Sequence, residues 1–335
     1  MKPELQFFPP AAALLLLLAI FPSLAEDEQQ EQAREILAHA AEISDIRSPG
    51  VPPFRMRARI RILLSDDKPL EGTYLLLWNS PTQWREEILF PGYRRIRVGG
   101  EGKYWQQRTL DHEPLRSFQF TRTLDFPLLL RLGPHDTLGK TTDKKHHGTP
   151  VKCVEVVRRE TYFRRICLDA GTGRLVRQES HAGETEGEYS EYIPWGDKVF
   201  PGVLRTMEEN KQVVEMRIEE ISANPNSDPA TYAPPSEAQA WAWCNNPELG
   251  PLVDKVPPRY PEQAKRGHVS GKVSIYAVIG TDGRLTNLRV VRSAGPVLDN
   301  ASLEAVQRWR YKPTRCNGVA IREEVLIDVV YTLQR

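Results

Sequence analysis

Residues 298–313 read LDNASLEAVQRWRYKP, and this stretch near the C-terminus decides how the last part of the chain folds. Asp299 is the predicted N-cap of a helix, and Pro313 is its predicted end, because the residue before a proline disfavours helical geometry. Apolar or small side chains at helical spacing give this helix one apolar face: Leu298, Ser302, Ala305, Val306 and Trp309. Trp309 offers the largest apolar area of that face, so we expect it in a core rather than on the surface.

The segments around this helix predict a small three-stranded sheet. Residues 271–279 and 285–293 alternate apolar and polar side chains and flank the turn 281–283, where Gly283 supplies a positive φ. The last strand, residues 324–333, places Val325 and every second residue after it on one face. With a helical turn or two over 260–266, the unit is predicted to be helix-β-β-helix-β. The main helix would cover the one apolar face of the sheet.

Six spaced motifs in this unit resemble the C-terminal domain of the TonB family. They occur in the order Tyr260-Pro261-x-x-Ala264, Gly271-x-Val273, Asp282-Gly283-Arg284-Leu285, Leu298-Asp299, Arg308-Trp309-Arg310-Tyr311-x-Pro313 and Asn317-Gly318. The resemblance covers residues 256–335. It implies that an extended segment of a partner, such as an outer-membrane receptor or another periplasmic protein, adds to the exposed edge of the last strand. The residues of that edge are Glu324, Val325, Leu326, Ile327, Asp328, Val329, Val330 and Tyr331.

The resemblance also places residues 259–260 near the bound segment. Arg259, beside Tyr260, stands where the family often has a glutamine, so this position departs from the family pattern. Residues 256–335 carry a net charge of +6, which favours an acidic partner segment or a site close to a membrane. An exposed edge strand also allows self-association, so a homodimer is compatible with this unit.

Residues 26–222 predict one helix followed by a long antiparallel sheet of about ten strands. Helical periodicity covers residues 26–43, and residues 123–132 predict a short helical interruption of the sheet. A sheet this long must curl or be covered. This order, ending with IPWGDKVFPGVL at 193–204, resembles the LolA/LolB-like lipoprotein carriers, which are unclosed half-barrels with an apolar hollow. The resemblance implies a lipid or acyl-chain ligand, and the alternative is a hollow filled by the chain's own side chains.

The N-terminal residues predict export to the periplasm. The apolar run 11–21 has the length of a signal-peptide core and is short for a membrane span of about 20 residues. Ser23-Leu24-Ala25 predicts cleavage after Ala25, which makes residues 1–25 a signal peptide. The alternative is an uncleaved anchor in the inner membrane.

Residues 223–255 predict a proline-rich linker between the two domains, 26–222 and 256–335. Trp241 and Trp243 within it indicate that part of the linker docks onto a domain, and the alternative is an exposed aromatic contact site. The four cysteines of an exported chain permit disulfides. Cys153 and Cys167 face each other in a predicted hairpin, which leaves Cys244 and Cys316 to pair; the alternative is four separate buried thiols.

The sequence favours a binding protein over an enzyme. The net charge of +1 gives no indication of a nucleic-acid partner. No Ser-His-Asp order, glycine-rich phosphate loop or paired-carboxylate motif stands out, and no cofactor is predicted. The pair His146-His147 lacks a third metal ligand nearby in the sequence, so no metal site is predicted. The predicted fold class is α+β, a curved antiparallel half-barrel plus a TonB-type domain.

The predicted function is peptide capture by a periplasmic adaptor whose half-barrel holds an apolar ligand. One alternative is a membrane-anchored energy transducer of the TonB type. This chain departs from that pattern, because a folded sheet domain stands where a transducer has a long spacer. A further alternative is a structural scaffold.

Overall fold

The fold is described from a computed structural model, which covers residues 21–63, 68–133, 136–158, 162–180, 185–225, 228–244 and 247–333. Residues 1–20 of the predicted signal peptide lie outside the described residues, and helix α1, Phe21–Ser44, runs through the predicted cleavage position. Within the described ranges, no helix has both the length and the hydropathy that crossing a membrane requires.

The first unit is a large antiparallel sheet with three helices. After α1 come five strands, then α2 (Leu115–Leu124) and α3 (Phe126–Leu130), and then seven further strands. The first five strands are β1 (Phe54–Ile62), β2 (Leu70–Ser80), β3 (Gln83–Phe90), β4 (Tyr93–Gly100) and β5 (Lys103–Arg108). The next seven are β6 (Asp136–His146), β7 (Thr149–Arg158), β8 (Tyr162–Asp169), β9 (Leu175–Ser180), β10 (Thr185–Trp195), β11 (Lys198–Glu208) and β12 (Lys211–Ala223).

These strands form one open sheet together with a strand from the segment predicted as linker. That strand is β13, Gln239–Ala242. The order in the sheet is β13-β5-β4-β3-β2-β1-β12-β11-β10-β9-β8-β7-β6, and all neighbours are antiparallel. β13 and β6 are its two edges and do not pair with each other, so the sheet is unclosed. The predicted α+β class with an open antiparallel sheet is confirmed.

Helices α1, α2 and α3 fill one face of this sheet. Leu37 of α1, Phe120 of α2 and Phe126 of α3 are fully buried in one continuous cluster with inward-pointing residues of the strands, such as Phe54 and Met216. Burying each such large side chain contributes about 1.5–3 kcal/mol. Over most of its inner face, the half-barrel is therefore occupied by the chain's own side chains.

The C-terminal unit has a three-stranded sheet, two helices and several short strands. Its sheet has the order β16-β15-β20. The elements are β14 (Leu252–Asp254), α4 (Glu262–Arg266), β15 (Gly271–Ile279), β16 (Leu285–Arg292), α5 (Pro296–Val306), β17 (Arg310–Tyr311), β18 (Thr314–Cys316), β19 (Val319–Ile321) and β20 (Glu323–Tyr331).

The bounds of α5 correct two predictions. The helix begins at Pro296 after Gly295, so Asp299 lies in its first turn and is not the N-cap. The Asp299 side chain accepts a hydrogen bond from the N–H of Ala294 at 3.0 Å. Proline favours the first helical position because its lost N–H would have no partner there. The helix ends at Val306, well before Pro313, because the N–H of Trp309 bonds the carbonyl of Val306 in a tighter turn.

Trp309 therefore follows α5 and does not lie on it. Its ring is still buried in the core of the C-terminal unit, and its Nε1 donates to the carbonyl of Val256 at 2.8 Å. Gly283, in the predicted hairpin turn, has φ of 76°. A Cβ at Gly283 would lie 1.8 Å from the carbonyl oxygen of Tyr311, so the glycine is required for a close approach as well as for the turn.

The segment predicted as linker packs on both units. It contains a 3₁₀ turn, Pro229–Tyr232, then β13 on the large sheet, then β14, which pairs with β17. Trp241 is buried, and the ring of Trp243 lies 5.4 Å from that of Trp84. The segment is thus a folded connection over much of its length.

Both predicted disulfides are present and are confirmed. Cys153 and Cys167 are directly opposite each other on β7 and β8. Cys244, two residues after β13, is bonded to Cys316 of β18. The second bond joins the connecting segment to the C-terminal unit.

Candidate functional site at the edge of the C-terminal sheet

The predicted peptide-binding strand lies at an edge of its sheet. β20 pairs with β15 over nine residues without a bulge, from Glu323 opposite Ile279 to Tyr331 opposite Gly271. Within the described part of the chain, no strand pairs with the other side of β20. An unpaired strand edge presents a row of backbone donors and acceptors to which an extended chain can bind.

Side chains along β20 alternate between the core and the opposite face. Ile327, Val329 and Tyr331 are buried against α5. Asp328 and Val330 are exposed, and Val330 keeps 57% of its surface accessible. This alternation leaves two side chains of different polarity beside the position that an added strand would occupy.

The two other predicted contact residues lie near the C-terminal end of β20. The ring of Tyr260 meets that of Tyr331 edge-to-face at 5.3 Å, and its hydroxyl donates to the carbonyl of Val269 at 2.7 Å. Arg259 is exposed next to it. The structure therefore brings Tyr260 and the edge strand together through Tyr331.

The opposite face of the C-terminal sheet is also covered, which corrects the prediction of a single covered face. Tyr276 and Val278 of β15 are buried against Phe118 of α2 and Trp241 of β13, and Leu326 of β20 packs against the same cluster. Tyr276 has no exposed surface. The first unit supplies this second covering layer, which the isolated pattern of the C-terminal unit cannot reveal.

A polar cluster fixes the start of β20 to the first unit. Glu324 accepts hydrogen bonds from Arg108 Nη1 and from the Tyr276 hydroxyl, each at 2.6 Å, and Arg108 Nη2 donates to that hydroxyl at 2.9 Å. Burial raises the pKa of Tyr276, and the Glu324 carboxylate raises it further. The pKa of Arg108 is raised because Glu324 and Tyr276 outweigh the lowering effect of burial.

A buried ion cluster lies behind this contact in the first unit. Arg95, 1% exposed, donates to Glu86 and to Glu113, each at 2.8 Å. Burial alone would raise the pKa of both carboxyl groups, but Arg95 outweighs it and the pKa of each is lowered. Glu113 lies 3.7 Å from Arg108, so the charges continue from the core of the first unit to β20.

A second polar contact joins the units at Glu208, the last residue of β11. Its carboxylate accepts hydrogen bonds from Arg116 Nη1 of α2 at 2.8 Å and from Arg292 Nη2 of β16 at 2.7 Å. Burial alone would raise the pKa of Glu208, but Arg292 and Arg116 lower it from 4.5 to about 2. One carboxylate thus bridges cations from both units.

The contact between the units is therefore expected to weaken in acid. A lowered carboxyl pKa contributes stability that is complete above the unfolded value of 4.5 and is lost as the pH falls through about 2. In urea unfolding followed at pH 7, 5, 4 and 3, the urea concentration at the midpoint should fall as the pH falls. Glu208→Gln should flatten the fall below pH 5, and an unchanged pH profile in this variant would contradict the assignment.

Comparison with known proteins identifies the C-terminal unit. Residues 256–333 match the family described as Gram-negative bacterial TonB protein C-terminal. The chain is similar to Protein TonB of Xanthomonas campestris pv. campestris strain B100, with 31% identity over 78 residues, 23% of this chain and 35% of that protein. It is also similar to Protein TonB of Vibrio cholerae, with 29% identity over 91 residues, 25% of this chain and 37% of that protein.

This chain spans about a third of the length of these curated relatives. The similarity is confined to its last quarter. Residues 256–333 are thus similar to the TonB C-terminal family, and the predicted resemblance is confirmed for that unit.

Two solved structures show distant similarity to part of this chain. One is a putative outer membrane lipoprotein-sorting protein domain from Vibrio parahaemolyticus. Its sequence is 12% identical, the match covers 61% of this chain and 97% of that chain, and the TM-score is 0.42. Another is the LolA superfamily protein NE2245 from Nitrosomonas europaea. Its sequence is 12% identical, the match covers 60% of this chain and 97% of that chain, and the TM-score is 0.39.

Proposed function

We propose that this chain is a periplasmic, non-enzymatic adaptor whose C-terminal unit captures an extended segment of a partner protein on β20. The single observation that carries the proposal is the position of β20, paired with β15 on one side only within the described residues. The TonB-type sequence of the unit supports the same role. An outer-membrane receptor, or another periplasmic protein with an extended terminal segment, is the proposed partner.

The contacts with the first unit limit the length of the captured segment. The Glu324 side chain is bonded to Arg108 of the first unit, so a partner segment that reaches the start of β20 would meet that unit. Residues 326–331 remain, which corresponds to about 20 Å of strand at about 3.3 Å per residue. We therefore expect a partner segment of about six residues in an extended conformation, bound mainly through its backbone.

A proline at Val330 should weaken this binding at least tenfold. Proline removes a backbone donor and its ring fills the strand edge, whereas the exposed side chain of Val330 makes little contribution to the core. Fluorescence anisotropy would measure binding of a labelled synthetic peptide from the periplasmic N-terminal segment of an outer-membrane receptor of the same organism. We expect at least a tenfold weaker Kd for Val330→Pro and a wild-type Kd for Val330→Thr.

Hydrogen exchange on the unaltered chain gives an independent result. Peptide binding should slow amide exchange within residues 326–331 and leave β16, at the opposite edge of the sheet, unchanged. Equal slowing in both edge strands, or none in β20, would argue against capture at this edge.

A second candidate function concerns a cavity beside α1. A space of about 530 Å³ lies between α1 and the end of α3, lined by apolar side chains such as Ala38, Leu130 and Leu132. Its charged lining comprises Arg34, Lys198, Glu42 and the ion pair of Arg131 with Asp45. Its size and lining suit one small apolar ligand with an anionic group. The proposed ligand class is therefore a lipid or acyl chain.

The intact mass of the protein recovered from its native host tests this second candidate. Under conditions that retain bound lipids, we expect a chain starting at Glu26 with additional lipid mass. Ala38→Trp, which fills the cavity, should remove the additional lipid mass while the chain still starts at Glu26. A chain that retains residues 1–25 and is found only in membranes would instead support the membrane-anchored transducer.

A further inference from the structure

Two neighbouring histidines and a distant glutamate meet on the surface of the first unit. His146 ends β6, and His147 begins the two-residue turn to β7, with φ of 47° followed by 86° at Gly148. Nε2 of His146 lies 3.5 Å from Oε1 of Glu188, and Nε2 of His147 lies 3.8 Å from the same oxygen. The two imidazole rings are 4.2 Å apart between centroids.

The fold brings these residues together across the sheet. Glu188 is on β10, and β9, β8 and β7 lie between β10 and β6, which at about 4.8 Å per strand is a separation of about 19 Å in a flat sheet. Tyr189 is in the main core, so Glu188 points to the outer face. The β6–β7 hairpin must therefore bend over that face for its tip to reach Glu188.

The disulfide lies under this bent hairpin. Val154 points into the main core, so its neighbour Cys153 points to the outer face, where it forms a separate buried cluster with Val151 and Cys167. The Cys153–Cys167 bond ties the hairpin strand β7 to β8. This brace limits how far the two histidines can move away from Glu188.

The three donor atoms have the spacing of a metal site. All three lie within 4.8 Å of one another. Zinc at about 2.0–2.1 Å from nitrogen and oxygen ligands in tetrahedral geometry places those ligands about 3.3 Å apart. The observed distances of 3.5 and 3.8 Å to Glu188 approach this value. The two imidazole nitrogens lie within 4.8 Å of each other, so rotation of the exposed His147 ring would close the site.

The donor set selects one class of ion. Two imidazoles and one carboxylate suit Zn²⁺ and its neighbours Ni²⁺ and Cu²⁺, whereas Ca²⁺ requires six to eight oxygen ligands. All four cysteines are in disulfides, so no thiolate competes for a softer ion.

We propose that His146, His147 and Glu188 bind one divalent transition-metal ion of the Zn²⁺ class and leave a fourth coordination position open. His147 is 78% exposed, so the site lies at the surface. A cavity of about 370 Å³ adjoins it and is lined by Tyr192, Ser190 and Arg174, among others. Water, or a donor group of a ligand in this cavity, completes the coordination.

Calorimetry on the whole exported chain tests the proposal. The protein should carry no affinity tag, keep both disulfides, and be stripped of metal with EDTA and dialysed before titration with ZnCl₂. We expect saturable binding of one Zn²⁺ per chain and a rise in unfolding temperature. Glu188→Gln keeps the shape of the side chain and removes its charge, and it should weaken Zn²⁺ binding at least tenfold, as should His146→Ala.

A matched control separates this site from adventitious zinc binding. His268 is exposed in the C-terminal unit and takes no part in the cluster, so His268→Ala should bind Zn²⁺ like the wild type. MgCl₂ should not change the unfolding temperature. The proposal is overturned if Zn²⁺ does not saturate a single site, or if Glu188→Gln and His146→Ala bind as tightly as His268→Ala.

Discussion

Replacement of Arg95 by alanine should lower the free energy of unfolding of the first unit by about 3–5 kcal/mol. Arg95 is 1% exposed and holds Glu86 and Glu113 by hydrogen bonds of 2.8 Å. Its removal leaves two carboxylates buried without their cation, and a buried unpaired charge is among the most destabilising changes known. Urea unfolding followed by tryptophan fluorescence measures the loss.

Arg94→Ala is the matched control for this substitution. Arg94 precedes Arg95 on β4, but its side chain is 49% exposed and pairs with Glu87 at the surface, so its loss should cost less than about 1 kcal/mol. In Arg95→Ala the carboxyl pKa values should rise, so the deficit should shrink from pH 7 to pH 4 as they protonate. Equal losses in the two variants would contradict the buried role of Arg95.

Glu324→Ala should weaken the docking of the C-terminal unit on the first unit. The substitution leaves Arg108 and the Tyr276 hydroxyl without the carboxylate that bonds both of them at 2.6 Å. We expect a loss of about 3 kcal/mol for this contact, which corresponds to more than a hundredfold increase in the population of undocked molecules. Small-angle X-ray scattering would detect it as a larger radius of gyration, and limited proteolysis as faster cleavage near residues 228–254.

Asp328→Ala provides the comparison on the same strand. Asp328 is exposed and lies 3.8 Å from Lys272, so this change should leave both the scattering and the cleavage rate close to those of the wild type. Undocking by Glu324→Ala should also lengthen the segment that β20 can bind, because the start of the strand becomes free. A wild-type radius of gyration for Glu324→Ala would show that the apolar cluster around Tyr276 holds the units together without the carboxylate.

Local patterns predicted the elements of the C-terminal unit well. The alternation around residues 271–279 and the glycine at 283 identified a hairpin, since both signals depend only on neighbouring residues. The predicted ends of α5 were wrong. Asp299 and Pro313 carry helix-boundary signals, but Pro296 and the turn after Val306 override them. Element boundaries depend on a few hydrogen bonds, which tertiary contacts readily shift.

α2 shows where local signals fail. Its sequence LRSFQFTRTL is rich in aromatic and β-branched residues, which have weak helix propensity. The helix forms because Phe120 and Leu124 bury themselves against the sheet, and Tyr93 and Arg95 bond Glu113 just before it. Packing against distant strands therefore decides this element, and no window of sequence contains those strands.

For the candidate sites too, local features could be predicted from the sequence, whereas contacts between distant elements could not. The edge strand could be predicted from alternation and from the family resemblance, whereas its contact with Arg108 and Tyr276 could not, because it requires the relative position of the two units. The pair His146-His147 was visible in the sequence, but Glu188 was not recognisable as its partner. Only the bend of the β6–β7 hairpin over the sheet brings these side chains together.

The Cys244–Cys316 bond determines how a mechanical load on β20 would travel through the molecule. Tension on that strand reaches Cys316 through only the short segment 317–322, and crosses the disulfide to Cys244. From there it enters β13, which is hydrogen-bonded to the edge of the large sheet. Residues 245–315, which lie between the two cysteines, are bypassed. A pull on a captured segment would therefore load the thirteen-stranded sheet directly, without unravelling the helices and strands in between.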